Sequence, residues 1–302
     1  MPSWPRTRCW STDRARRAST GASSACAAVI LGLTLALGGC AVSTPSPGHG
    51  DIRNDGDAAQ FARSLPGLLP TDVLLIGERH DAPEHHALER SAVEMLSARG
   101  HLAALLVEMA EEGRDTSGLD AAASESQVRA ALNWDETAWP WSAHGPVVMA
   151  AVRAGVPVAG ANLPRARMRD AMADVSLDAQ LPAAVLRTQQ DAVRDGHCGL
   201  LPEARIVPMT RVQIARDRAM AQAVVKARRP GRTVLLVTGA AHADRQQGVP
   251  QHLPVDVTVR SLRLLAASDA NGDVLSTTRY DATWRTPPRP EKDFCAELRP
   301  SR

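Results

Sequence analysis

Twice in this chain an apolar run of strand length ends in glycine, two further residues and histidine. Val73-Leu74-Leu75-Ile76 runs into Gly77-Glu78-Arg79-His80, and Val234-Leu235-Leu236-Val237 runs through Thr238 into Gly239-Ala240-Ala241-His242. A short, continuous apolar run closed by a turn signal is how a strand buried on both faces reads, which is the parallel-sheet case. Glycine lets the backbone turn where a side chain would clash. The polar residues after it open at the strand's carboxyl end, where α/β sheets carry their ligand sites. Two strands that end alike place His80 and His242 in one cleft.

The rest of the chain supplies partners for these strands. Asp72 to Ile76 reads as the first strand, and His101 to Val107, ending at Glu108, as the second. Val156 to Ala161, ending at Asn162, reads as the third and Thr233 to Thr238 as the fourth, with late edge strands at Val255 to Leu265 and Val274 to Tyr280. Asp81 with Glu84 has the form of a capping box, followed by the apolar stripe Leu88, Ala92, Met95 and Leu96 and a stop at Gly100. Thr210 with Gln213 marks a second such start, for a helix running to about Arg228. Helices also read over Val147 to Ala154, Arg165 to Val175 and Leu181 to Asp195, while the polar stretch Glu111 to Ser126 reads as an excursion or lid. Alternating strands and helices predict an α/β fold, a mainly parallel sheet with helices on both faces and the site at the carboxyl ends of the strands.

The N-terminus reads as an address. Arg14, Arg16 and Arg17 precede an apolar stretch, Ala25 to Leu37, too short for a span of about 20 residues. It closes on Leu37-Gly38-Gly39-Cys40, which resembles a bacterial lipobox, so residues 1–39 are expected to be a signal peptide and Cys40 to carry the lipid. Residues 40–55 then form a flexible tether, and 56–302 a single domain. The alternative is an apolar N-terminal core helix. Ala41 after the cysteine favours the outer membrane over the inner. The leader holds five of the 35 basic and one of the 33 acidic residues, so what remains is near −2 in charge and offers no nucleic-acid footprint. Cys198 and Cys295 then remain as an even pair, read as a disulfide, with two free thiols as the alternative.

Glu78 with His80, Glu108, Asn162 and His242 all fall at predicted strand ends. Two imidazoles and two carboxylates suffice to hold a divalent transition metal with a bound water, and equally a carboxylate beside a histidine activates water without metal. The bland alternative is that some of them cap adjoining helices. Consecutive helical residues point about 100° apart, so of His85 and His86 only one faces the cleft; His85 reads as a solvated helix start. Trp139, Trp141 and His144 form an apolar wall with one basic nitrogen, which suits either a flat macrocycle with a ligated iron or an ordinary core. Gln213 and Asp217 read as structural. No Gly-x-Gly-x-x-Gly, P-loop, Gly-x-Ser-x-Gly or His-Glu-x-x-His occurs, which argues against dinucleotide enzymes, NTPases and serine hydrolases.

Taken together, Leu75-Ile76-Gly77-Glu78-Arg79-His80-Asp81, His85-His86, Leu106-Val107-Glu108-Met109, Trp141-x-x-His144-Gly145-Pro146, Gly160-Ala161-Asn162-Leu163-Pro164-Arg165, His197-Cys198-Gly199, Gln213-x-x-Arg216-Asp217-x-x-Met220 and Gly239-x-x-His242 resemble the ChaN-like haem-binding uptake proteins of the Tiki superfamily. The resemblance spans roughly Asp72 to Val259. It implies a lipid-anchored envelope protein of iron and haem uptake, with haem against Trp139, Trp141 and His144, flanked by His86 and Asn162. An outer-membrane haem receptor and a homodimer are the partners it implies. The wider superfamily implies an alternative, a metal-dependent periplasmic hydrolase or protease using Glu78, His80, Glu108 and His242. Haem ligation in the family is associated with tyrosine, whereas this chain has a single tyrosine, Tyr280, and carries Trp141 where many relatives have tyrosine.

Overall fold

The computed structural model describes residues 58–270, 278–290, 293, 295 and 296. The expected leader, Cys40, the expected tether and most of the expected strand Val274 to Tyr280 lie outside the described residues. Six strands form one sheet: β1 (Val73–Glu78), β2 (Leu102–Glu111), β3 (Val158–Asn162), β4 (Thr233–Gly239), β5 (Val259–Ala266) and β6 (Ala282–Thr286). Every pairing is parallel, in the order β3-β2-β4-β1-β5-β6. The last strand therefore starts beyond Tyr280, which itself follows a turn at 278–279. The helices are α1 (Ala58–Ser64), α2 (Pro83–Ala98), α3 (Glu125–Ala131), α4 (Trp141–Arg153), α5 (Met168–Ala173), α6 (Ala183–Gly196), α7 (Ile206–Ala227) and the single turn α8 (Ala240–Ala243). No helix among the described residues is long and apolar enough to cross a membrane.

Alternation along the buried strands explains the three-layer arrangement. Leu74, Ile76, Leu105, Val107, Leu235 and Val237 pack with Leu88, Ala92 and Leu96 of α2 and Val148 and Val152 of α4. Val73, Leu75, Leu106, Val234 and Leu236 pack on the opposite side with Met220, Ala221 and Val224 of α7. Side chains that alternate between two buried faces need apolar residues at every position, which is why β1, β2 and β4 read as unbroken runs.

Two helix starts differ from expectation. The N-cap of α2 is Ala82, with no side-chain cap; Pro83 opens the helix, where its missing N–H costs nothing. Asp81 does not cap but pairs with Arg79 at 2.9 Å and Arg289 at 3.2 Å. Thr210 lies inside α7, which begins at Ile206; its hydroxyl donates to the Ile206 carbonyl four residues back. Cys198 and Cys295 are joined in a disulfide.

The central strand β4 lies between β1 and β2, so the twin motifs are neighbours. They interlock through their glycines. A Cβ on Gly77 would stand 2.8 Å from Ala243 Cβ and 2.9 Å from Ala240 Cα in the second unit. A Cβ on Gly239 would stand 2.9 Å from His80 Nε2 in the first.

Candidate functional site

β1 connects onward to β2 on one side of the sheet, whereas β4 connects to β5 on the other. The chain thus departs in opposite directions from two adjacent strands, and a crevice opens at their carboxyl ends. Glu78 is the last residue of β1 and is buried. Its Oε1 accepts from His80 Nδ1 at 2.8 Å. His86, in the first turn of α2, places Nε2 3.1 Å from the His80 carbonyl oxygen and 3.3 Å from Glu78 Oε2.

Glu108, near the end of β2, is also buried. Its Oε2 accepts from Thr238 Oγ1 at 2.7 Å and from the Gly239 N–H at 2.8 Å. The same oxygen lies 3.6 Å from His80 Nε2, and Oε1 lies 3.7 Å from His242 Nε2. One carboxylate thus stands between the two histidines of the twin motifs. His242 Nδ1 is held by Asp217 Oδ1 of α7 at 2.6 Å. Asn162 donates from Nδ2 to the Glu108 carbonyl oxygen at 2.9 Å, which fixes the end of β2 against β3.

The electrostatics follow from this alternation of acids and imidazoles. Burial alone raises a carboxyl's pKa. For Glu78 that push is overcome by His80 and by the hydrogen bonds of His80 and His86, which hold the carboxylate well below the usual range. Glu108 is likewise drawn down to about 2, against burial, by His242 and His80 and by the Gly239 and Thr238 donors. Asp217 goes upward because burial outweighs His242, while His242 itself is raised, Asp217 and Glu108 overcoming its burial. Because the contact is only 2.6 Å, we describe this pair as an ion pair at neutral pH. Burial lowers His144 to about 4, so it is a neutral imidazole at pH 7.

Beside the carboxylates lies an aromatic cluster from the Trp134–Trp141 segment and α4. The His144 ring stands 4.6 Å from that of His86, 5.7 Å from Trp139 and 6.3 Å from Trp134. Trp141 meets Trp134 edge-on at 5.0 Å and donates its indole N–H to Glu125 Oε2 at 2.8 Å. The Trp141 ring lies so close over Gly145 that a Cβ there would come within 2.5 Å of it. Trp141 and His144 are thereby enclosed, with 7% and 3% exposure, whereas Trp139 is half-buried and packs edge-on against His80 at 4.9 Å.

The structure brings Glu78, His80, Glu108 and His242 together, with His86, His144, Trp139 and Asn162 around them. Cys198 and Cys295 lie apart in their disulfide. His85 is fully buried, not solvated: Nδ1 accepts from the Arg79 N–H at 3.0 Å, and Nε2 pairs with Thr286 Oγ1 of β6 at 3.2 Å. Only His86 turns to the cleft. Asp217 proves to be the group that orients His242. Glu89 was not singled out from the sequence, although it falls one turn after His86 on the buried side of α2. Burial first, and then the charge of Glu78, raise its pKa well above the usual value.

Residues 65–253 match the family described as haem-binding uptake, Tiki superfamily, ChaN. The structure of ChaN of Campylobacter jejuni, with cofacial heme binding, has a TM-score of 0.61 at 20% identity, covering 74% of this chain and 90% of that one. That likeness concerns the fold. A crystal structure of a Bacillus cereus protein covers 70% of this chain and 75% of its own at 12% identity, with a TM-score of 0.35. No curated protein matches this chain.

Proposed function

Because this chain belongs to the ChaN family of haem-binding uptake proteins in the Tiki superfamily, we propose that it binds haem in the bacterial cell envelope and serves iron uptake. The observation that carries this reading is the family match itself, whose span of 65–253 includes every residue of the cleft. In this reading a lipid on Cys40 anchors the chain, at the outer membrane rather than the inner, and residues 41–55 tether the domain within reach of an outer-membrane haem receptor. Pairing of two protomers around haem belongs to the same reading.

The residues fit haem unequally. Trp139 is half-buried, with the His80 ring packed edge-on against it, so a flat macrocycle arriving from solvent meets this pair first. His144 and Trp141 lie enclosed behind them, and Tyr280 is buried with its phenol donating to the Ala240 carbonyl at 2.9 Å. We therefore assign the haem face to Trp139 and His80 and do not assign its iron to His144 or Tyr280. Bound haem supplies an iron centre and a π face; the chain supplies the aromatic contact and excludes water from one side.

Hemin titrated into the full chain in detergent, followed at the Soret band, tests this. Saturable binding weakened at least about tenfold in Trp139→Ala, roughly 1.4 kcal/mol, is the expected result. A flat titration of folded protein refutes it.

One arrangement favours a second reading, a metal-dependent hydrolase. His80 and His242 each have Nδ1 fastened to a carboxylate, Glu78 and Asp217, while Nε2 of both turns to Glu108. Carboxylate-oriented imidazoles beside a third acid are a donor set for zinc and related ions, which when bound supply Lewis acidity and an activated water. Zinc-dependent cleavage of ester or peptide substrates that is lost in His242→Ala is the expected result, and hydrolysis indifferent to chelation refutes this reading.

A further inference from the structure

We propose that Glu78, His86 and His144 form a site for one divalent transition-metal ion, enclosed behind Trp139 and filled independently of haem. One donor atom from each lies within 4.8 Å of the other two, and all three residues are buried. His144 Nδ1 is buried without a hydrogen-bond partner, and the buried Glu78 Oε2 meets His86 Nε2 at 3.3 Å, a long contact that a bound ion can replace. Leaving a buried polar atom unpaired is costly, so an unpaired imidazole nitrogen beside a buried carboxylate gains from a cation that meets both.

The size of the gap selects the ligand. Ligands around a tetrahedral ion stand roughly 3.3 Å apart at the usual 2.0–2.1 Å bond lengths. Donors now up to 4.8 Å apart close on such an ion through small side-chain rotations. No macrocycle enters a space this narrow, so the ion is a bare one. Two imidazoles and a carboxylate suit zinc, iron(II) or manganese rather than calcium or magnesium, which take mostly oxygen.

The surroundings hold the donors in place. They come from β1, α2 and α4, three packed elements rather than loops. The other oxygen of Glu78 is fixed by His80 Nδ1, the kind of outer contact that orients a metal ligand. Trp141, seated on Gly145 and tied to Glu125, locks the first turn of α4 and with it His144. Glu89, one turn beyond His86, adds a second buried carboxyl beside the site. This ligand set shares only Glu78 with the set between His80 and His242.

The test uses the full chain in detergent, freed of haem and stripped of metal by chelation. Zinc is titrated by calorimetry and cobalt(II) by its visible absorption, with folding of each variant checked by circular dichroism. The expected result is one ion per chain and a loss of affinity of about 100-fold or more in Glu78→Gln, His86→Gln and His144→Gln. X-ray absorption of the zinc-loaded wild type is expected to count two imidazoles and a carboxylate oxygen, which keeps the test open if a variant fails to fold. Absence of binding in folded protein overturns the proposal. So does binding that survives His144→Gln but is lost in His242→Ala, since the ion then lies beside Glu108.

Discussion

Replacing Glu108 by glutamine keeps the shape and an acceptor oxygen for Thr238 and Gly239 but removes the negative charge between two imidazoles. The magnitude follows from the shift in its carboxyl, from the ordinary 4.5 to about 2. Two and a half pKa units at about 1.4 kcal/mol each give about 3.5 kcal/mol, supplied by His242, His80 and the two donors over and above the cost of burial. The pKa is depressed in the folded protein, so this contribution is fully present above about pH 4.5 and is lost as pH falls towards 2. Urea unfolding of haem-free, metal-stripped protein measures it. Glu108→Gln is expected to be less stable than wild type by about 3.5 kcal/mol at pH 7, with the gap closing between pH 4.5 and 2. His242, whose pKa Glu108 helps to raise, is expected to titrate lower in the variant by NMR. A gap that stays constant from pH 7 to pH 3, or a variant more stable than wild type, refutes the reasoning.

Three further outcomes follow from other features. Gly77→Ala is expected to destabilise by about 1–2 kcal/mol in thermal unfolding, because a clash with Ala243 and the Ala240 backbone outweighs the entropy gained from removing a glycine. Removing the disulfide with Cys198→Ser and Cys295→Ser opens a loop of 97 residues, and loop-closure entropy sets the loss at up to about 5 kcal/mol by chemical denaturation; a loss under about 1 kcal/mol argues against that account. Glu89→Gln replaces an acid whose pKa burial raises in the folded protein, a group that costs stability as pH climbs above 4.5, by up to about 1.4 kcal/mol per pH unit. Its stability is therefore expected to decline less steeply than wild type between pH 5 and pH 7.

The strands that carry the site were legible because each is buried on both faces and must be apolar throughout. The same geometry made Glu78, His80, Glu108 and His242 stand out at their ends. Less was legible where a partner lies far away in sequence. His85 looks like a solvated helix start until Thr286, 201 residues on, proves to be its neighbour. Asp217 looks like one charge among several on α7 until His242 meets it. At β6, the short mixed run Ala282–Thr286 has no continuous apolar signal, since it alternates between buried and half-buried positions at the sheet edge. Thr210 carries the form of a helix cap, but a hydroxyl can bond the preceding turn instead, and here it does.

The position of β4 also sets an order in time. A chain emerging from synthesis has Glu78, His80 and Glu108 long before Gly239, which follows Glu108 by 131 residues. Until that strand arrives, β1 and β2 have no common neighbour, and the acids at their ends have nothing to hold them at a fixed spacing. Insertion of residues 233–239 therefore supplies the middle of the sheet, the N–H that pins Glu108 and the helix turn bearing His242 in a single event. The set that joins His80, Glu108 and His242 is thus complete only when the last central strand is home.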